Sequence, residues 1–187
     1  APRGLASRDA LLGLADASLQ SVDDLTELTL AETVSLVRRR VLAPEDLVSA
    51  HADRIERFDR SYQAFAARPE REALLEAAQR IPSDGSDGAL RGVCLAPKDN
   101  FYTADLLTEG GSLVFEGFQP TYDATAVATM RAAGGLVVGK AQMGNLAGGR
   151  AQVYGTNTPT TRNAWTPDDV RYSPAGSSSG TGTAVAA

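Results

Sequence analysis

Two kinds of side chain in this sequence of 187 residues could carry out chemistry together: a run of serines and a pair of lysines. The serines are Ser177, Ser178 and Ser179, which lie between glycines and precede small apolar residues typical of a packed helix. Such a loop can hold hydroxyls and free backbone N–H groups around a polar ligand. The plainer alternatives are a flexible linker, or a helix cap in which Ser177 or Ser179 accepts from backbone N–H groups.

Lysine occurs only at Lys98 and Lys140, and arginine supplies the rest of the 18 basic residues. Each lysine ends a short apolar run that predicts a buried strand, where an amine can point into a site. The single histidine, His51, lies on the apolar face of a predicted helix and is interpreted as a satisfied core residue. A serine-based enzyme here would therefore use lysine as its base, provided that burial leaves the amine neutral. The alternative for Lys140 is a side chain that reaches solvent.

Two better-known motifs match this sequence only in the spacing of their residues. Residues 134–140 have the spacing of a phosphate-binding loop, but Ala141 stands where Ser or Thr should hold magnesium, and the segment is apolar like a strand. Residues 176–180 have the spelling of a nucleophile elbow, but no strand precedes them and no histidine follows. We therefore exclude a nucleotide site and a Ser-His-Asp hydrolase within this chain.

Composition and charge argue against some classes of binding partner. The net charge of −5 and the pI near 4.9 argue against nucleic-acid binding, which needs a basic face. No apolar run approaches the roughly 18 residues of a membrane span. The single cysteine, Cys94, excludes an internal disulfide and is interpreted as a small buried hydrophobe. We expect a cytoplasmic protein, with a periplasmic or secreted location as the alternative because the sequence begins without methionine.

The first half of the chain predicts helices. Residues 1–25 are interpreted as an N-terminal arm. A capping pattern at Thr29 and Glu32 begins a helix with apolar residues up to Val41, and Pro44 begins a second helix. A third helix follows Pro69 and ends in the turn-rich segment 82–88.

The second half predicts a sheet. The apolar run 93–96 is typical of a strand buried on both faces. Asp123 is predicted to cap a helix that Gly134 and Gly135 end, and a second strand follows at 136–138. Strand, helix and strand in this order predict an α/β fold.

Several of these segments, in this order, resemble the amidase signature family. They are Gly92–Phe101, Thr108–Ser112, Asp123–Ala147 and Pro174–Ala187, together with Gly155, Asn157, Asn163 and Trp165. The resemblance runs from the region of Thr29 to the last residue. It implies that residues 26–187 form the N-terminal portion of an amidase signature domain, in which N-terminal helices pack on the start of a mixed, helix-covered sheet.

The resemblance also implies a reaction. Enzymes of this family hydrolyse carboxamides to a carboxylate and ammonia or an amine, with no metal or organic cofactor, through a triad of lysine, a serine in a cis peptide and a nucleophilic serine. By resemblance, Lys98 is the lysine and Ser177 is the cis serine, while Ser178 and Met143 contact the small amide substrate. Met143 could equally be a core methionine that fills a gap.

The family's nucleophilic serine lies further along the chain, beyond Ala187. We therefore expect a second polypeptide, or further sequence, to complete the domain. Asn145 stands where the family often has an acid, and Ala175 replaces the first glycine of the signature, so the substrate preference is left open. Two alternatives also stay open: the amidase-type subunit of a tRNA-dependent amidotransferase, and a non-catalytic fragment or binding protein of the same fold.

Overall fold

The computed structural model describes residues 24–81, 88–148 and 161–187. The predicted N-terminal arm lies outside these ranges except for Asp24 and Leu25. Most of the turn-rich segment after the third helix and the motif residues Gly155 and Asn157 lie outside them as well.

Three helices form the N-terminal half of the described chain. Helix α1 spans Leu30–Arg38 and begins at the predicted capping box, in which the Glu32 N–H donates to Thr29 Oγ1 and the Thr29 N–H donates to Glu32 Oε2. Helix α2 spans Pro44–Tyr62, with proline in its first turn as expected. The third helix, α3, is Arg71–Gln79. All three predicted helices are confirmed.

Helix α1 ends earlier than the apolar pattern predicted. Arg39 is its C-cap and Arg40 adopts a left-handed conformation with φ 58°, which turns the chain before Val41. Val41 is consequently exposed, whereas the next residue, Leu42, is buried. The buried side chains between α1 and α2 form one core cluster: Leu36, Val37, Leu42 and Leu47.

The predicted strand, helix and strand are present. Strand β2, Cys94–Leu95, pairs in parallel with β3, Leu136–Val137. The connection between them contains helix α4, Thr125–Ala132, which ends before Gly134 at φ +90°. Strand β2 is shorter than predicted and half-buried, rather than buried on both faces.

The described strands form two small two-stranded sheets, one parallel and one antiparallel. Strand β1, Phe65–Ala67, pairs in antiparallel fashion with β4, Lys140–Ala141. On its other side, Ala141 forms an isolated parallel bridge with Lys98. Helices α2 and α3 pack on the β3 region through a second core cluster of buried residues: Val48, Leu74, Ala78, Leu136 and Val138.

The predicted cap at Asp123 is wrong. The N-cap of α4 is Ala124, and no side chain caps the helix. Asp123 Oδ1 instead accepts a hydrogen bond from the Ala104 N–H at 2.8 Å, and its other oxygen lies 3.4 Å from Arg131 Nε. Tertiary partners therefore take the carboxylate that local sequence assigned to the helix N-terminus.

The last helix, α5, spans Ser179–Ala186 and follows the serine run as predicted. Thr183 Oγ1 donates to the Arg162 carbonyl oxygen at 2.7 Å, which joins α5 to the preceding segment. None of the helices within the described ranges is both long enough and apolar enough to cross a membrane.

Candidate active site

Lys98 is held at the sheet edge by its own backbone. The Ala141 N–H donates to the Pro97 carbonyl at 2.8 Å, and the Asp99 N–H donates to the Ala141 carbonyl at 2.9 Å. These two bonds bracket Lys98 and form its bridge to β4. The Lys98 backbone is therefore anchored by an isolated parallel bridge beyond the end of β2 at Leu95.

The serine loop reaches the same edge through close backbone contacts. The Gly144 N–H donates to the Ser177 carbonyl at 3.0 Å, and the Gly180 N–H donates to the Gln142 carbonyl at 2.9 Å. A Cβ added at Gly180 would overlap the Ala64 carbonyl oxygen and the Gln142 amide nitrogen. Only glycine allows α5 to approach the strand ends this closely.

These contacts bring Lys98 and Ser177 together. Lys98 Nζ donates to Ser177 Oγ at 2.7 Å, and both residues are half-buried. The peptide bond between Gly176 and Ser177 is cis, the geometry that the resemblance implied for this serine. An amine and a hydroxyl at this distance can exchange a proton directly.

The expected helix caps are not formed by Ser177 or Ser179. Ser178 is the N-cap residue of α5, and its side chain makes no capping hydrogen bond. Ser179 is fully buried, and its Oγ donates to Thr161 Oγ1 at 3.4 Å. The loop is therefore neither a linker nor a side-chain cap, because its hydroxyls have tertiary partners or face a cavity.

Ser178 and Lys98 line the same cavity, which has a volume of about 370 Å³. Its other lining residues come mostly from α4 and from the segment around Lys98, and are mainly apolar: Leu95, Ala96, Pro97, Phe101, Ala126, Val127, Met130, Val137 and Thr181. The cavity can accept an apolar group next to a polar end that carries the amine and the hydroxyl.

Met143 lies in a different place. It is buried and lines a separate cavity of about 230 Å³ together with Asp99, Tyr102 and Phe118. The rings of Tyr102 and Phe118 meet edge to face with centroids 5.5 Å apart. The structure therefore does not bring Met143 and Ser178 into one cavity, although both were assigned to substrate binding.

The second lysine forms a cluster that the sequence did not predict. Lys140 is fully buried, so the alternative of a side chain that reaches solvent is wrong. Its Nζ lies 3.2 Å from Asp99 Oδ1 and donates to Thr108 Oγ1 at 2.6 Å and to the Leu107 carbonyl at 3.2 Å. Burial raises the pKa of Asp99 and lowers the pKa of Lys140, and each charge opposes the shift of the other.

Asp99 is the functional candidate that sequence reasoning missed. It directly follows Lys98, and that adjacency was the only available signal. The charge of Asp99 would have been expected to point to solvent without knowledge of the fold, because buried carboxylates are rare unless they are paired.

His51 and Cys94 play no part in this site. Burial lowers the pKa of the half-buried His51, and it raises the pKa of the Cys94 thiol to about 12. The thiol is therefore unreactive at neutral pH. Within residues 24–81, 88–148 and 161–187, no group of three or more His, Cys, Asp or Glu side chains could hold a metal ion.

Comparison with known proteins identifies the family. Residues 46–187, which are most of the chain, match the protein family named Amidase. The chain belongs to this family. The putative amidase AmiD of Mycobacterium tuberculosis is 37% identical over 171 residues, which are 88% of this chain and 34% of that protein. The chain thus spans about a third of the length of the curated relatives it matches.

The amidase family includes members with different reactions, and this chain is similar to more than one. It is 38% identical to a subunit of the chloroplastic and mitochondrial glutamyl-tRNA(Gln) amidotransferase of Oryza sativa, over 81% of this chain and 29% of that protein. The crystal structure of native peptide amidase from Stenotrophomonas maltophilia superposes with a TM-score of 0.70 at 29% identity. The match covers 82% of this chain and 33% of the peptide amidase.

The two departures from the amidase signature both have visible structural effects. Asn145 Nδ2 donates to the Gly111 carbonyl at 3.3 Å, so its amide stabilises the neighbouring turn. Ala175 adopts φ 65°, a left-handed conformation that glycine adopts without steric cost. Alanine therefore adopts a left-handed conformation at the position where the resemblance would place glycine.

Proposed function

We propose that this protein is an amidohydrolase that cleaves a carboxamide to a carboxylate and ammonia or an amine through a Ser-cisSer-Lys triad. The observation that carries the proposal is the 2.7 Å hydrogen bond between Lys98 Nζ and Ser177 Oγ. In this proposal Lys98 is the base and Ser177 relays the proton. The attacking serine is supplied by sequence beyond Ala187, in the same or in a second polypeptide.

The chemistry proceeds in two halves. The attacking serine passes its proton to Ser177 Oγ while Ser177 passes its own proton to neutral Lys98, and the serine oxygen bonds to the amide carbon. Collapse of the tetrahedral intermediate breaks the C–N bond, and the proton held by Lys98 returns through Ser177 to the leaving nitrogen. Water then attacks the acyl ester by the same relay, which releases the carboxylate and regenerates the serine.

The substrate contacts follow from the two cavities. In this proposal Ser178 contacts the substrate in the 370 Å³ cavity that it shares with Lys98. Met143 contacts the substrate from the 230 Å³ cavity that it lines together with Asp99, where the aromatic rings favour an apolar acyl group. The acyl part and the leaving part of the amide would thus occupy different walls of one cleft in the completed domain.

The test is Ser177→Ala in the full-length protein. Turnover of small primary amides should fall by about 10²–10⁴-fold, the usual contribution of a positioned proton-transfer group. Ser61→Ala is the matched control, because Ser61 is an exposed serine at the end of α2. Unchanged turnover in Ser177→Ala would refute the relay, and a wild-type protein that hydrolyses no amide or ester would support the non-catalytic alternative.

A second candidate function is the amidase-type subunit of a tRNA-dependent amidotransferase. Its support is the 38% identity to a subunit of a glutamyl-tRNA(Gln) amidotransferase. The relay would be the same, but the substrate would be glutamine, and the released ammonia would pass to another site instead of to solvent. Purification of the native protein distinguishes the two: stable partner subunits and glutamine hydrolysis favour the amidotransferase, whereas activity on other amides without partners favours the amidohydrolase.

A further inference from the structure

The Lys140 ammonium connects the strand end that bears Lys98 to a neighbouring loop. Its partners come from two segments: Asp99 from the strand end, and Thr108 and the Leu107 carbonyl from the loop. Both Lys140 and Asp99 are essentially excluded from solvent, with exposed side-chain fractions of 0% and 1%. A contact at this depth is unscreened by water, so it restrains the two segments far more than a surface ion pair would.

Asp99 extends the same connection with its second oxygen. Asp99 Oδ2 accepts from the Gly110 N–H at 2.9 Å and from the Glu109 N–H at 3.2 Å. One carboxylate therefore closes the turn at 109–110 with one oxygen and contacts Lys140 with the other. The turn, the lysine and the strand end are therefore joined as one unit through contacts between buried polar groups, which are costly to break.

This unit is directly bonded to the residue that carries the proposed base. Lys98 precedes Asp99 and bridges to Ala141, while Lys140 precedes Ala141. Lys98 Nζ contacts Ser177 Oγ, while the carboxylate of the next residue, Asp99, contacts Lys140 Nζ. The ion pair therefore restrains the backbone next to Lys98, and with it the position of Lys98 Nζ.

We propose that Lys140 is a positioning residue for amide hydrolysis, which acts through Asp99 to hold Lys98 Nζ against Ser177 Oγ. This inference rests on the proposed function. It assigns Lys140 no contact with the substrate or with the reacting atoms. The charges that act on Lys140 are Asp99 and, more weakly, Asp105, so loss of Asp99 leaves the ammonium without its close partner.

The experiment compares Lys140→Met with the double variant Asp99→Asn/Lys140→Met in the full-length protein. In Lys140→Met, kcat should fall by about 100-fold with KM unchanged, as expected when reacting groups are misplaced by a fraction of an ångström to an ångström. Lys140→Met should also lower Tm, because it leaves the buried Asp99 carboxylate without its partner. The double variant removes that unpaired charge, so its Tm should return most of the way to the wild-type value. Its kcat should stay low, because the connection to Thr108 and Leu107 is still missing.

Two controls separate positioning from simple destabilisation. Leu47→Ala creates a cavity in the core between α1 and α2, so it should lower Tm without changing kcat below the unfolding transition. A crystal structure of the double variant should show Lys98 Nζ beyond hydrogen-bonding distance of Ser177 Oγ.

The proposal is overturned if kcat recovers together with Tm in the double variant, or if the crystal structure keeps the Lys98 to Ser177 hydrogen bond. The second readout needs no activity, so it decides the positioning role even for a protein that hydrolyses no amide. Loss of turnover in Ser177→Ala with normal kcat in Lys140→Met would leave the proposed function standing and reject only the role of Lys140.

Discussion

Lys98 and Lys140 lie on neighbouring strand ends, but their side chains have opposite environments. Lys98 is half-buried, lines a cavity and makes its hydrogen bond to a neutral hydroxyl, Ser177 Oγ. Lys140 is fully buried and faces a carboxylate, a hydroxyl and a carbonyl. The two lysines come from the same kind of sequence, a short apolar run that ends in lysine.

The two environments suit the lysine amine for two different roles. An amine beside a hydroxyl and a cavity can gain and lose a proton as a reaction requires. An amine that contacts a buried carboxylate is suited to holding structure, because removal of either partner would leave the other without its contact in a low-dielectric site. We therefore expect Lys98 to take part in proton transfer and Lys140 to hold the neighbouring segments in place.

The largest expected effect that tests this comparison is on stability. Lys140→Met should lower the free energy of unfolding by about 3–5 kcal/mol, because it leaves the buried Asp99 carboxylate unpaired. Lys98→Met should lower it by about 1 kcal/mol or less, because it removes one hydrogen bond at a half-buried site. Urea unfolding of both variants of the full-length protein measures the difference. Equal losses would show that the two lysines are equivalent, against the comparison.

A smaller effect is expected where α5 approaches the strand ends. Gly180→Ala should destabilise the protein by about 1–3 kcal/mol through overpacking against Ala64 and Gln142. It should also reduce amide turnover, since the same contact places Ser177 opposite Lys98. Gly182→Ala in the same helix is the matched control, because no described atom lies within 4 Å of the added Cβ.

Gly182→Ala should stabilise α5 by up to about 1 kcal/mol, as alanine favours a helix interior over glycine. Thermal unfolding and turnover of both variants check the prediction. If Gly180→Ala behaved like Gly182→Ala, the close approach of α5 to the strand ends would not be what positions Ser177.

The smallest effect is expected at Ala175, which stands where the signature usually has glycine. Ala175→Gly should stabilise the full-length protein by up to about 1 kcal/mol, because relief of a left-handed alanine, which costs about 1–2 kcal/mol, outweighs the entropy that the unfolded chain gains. The control, Ala184→Gly in α5, should destabilise by about 1 kcal/mol. A loss of stability in both variants would contradict the strain assigned to Ala175.

Much of the fold could be predicted because its signals are local. The capping box at Thr29 and Glu32, the proline at Pro44 and the glycines after α4 each act within a few residues, and the structure has them where they were expected. The prediction failed at Asp123 because the partner of that carboxylate is not local. A carboxylate near a helix start is typical of a cap, but a backbone N–H from residue 104, far away in the chain, competes for it.

The sequence by itself determined which residues could take part in chemistry. These are a serine loop between glycines and only two lysines, in segments whose order resembles the amidase signature family. The two apolar runs alone do not distinguish the lysines, and the role of Lys98 came from the resemblance. Only the tertiary structure showed what surrounds each amine. One amine meets Ser177 at a cavity and the other meets Asp99 in the interior, and both contacts join residues that are far apart in the sequence, so local patterns could not reveal them.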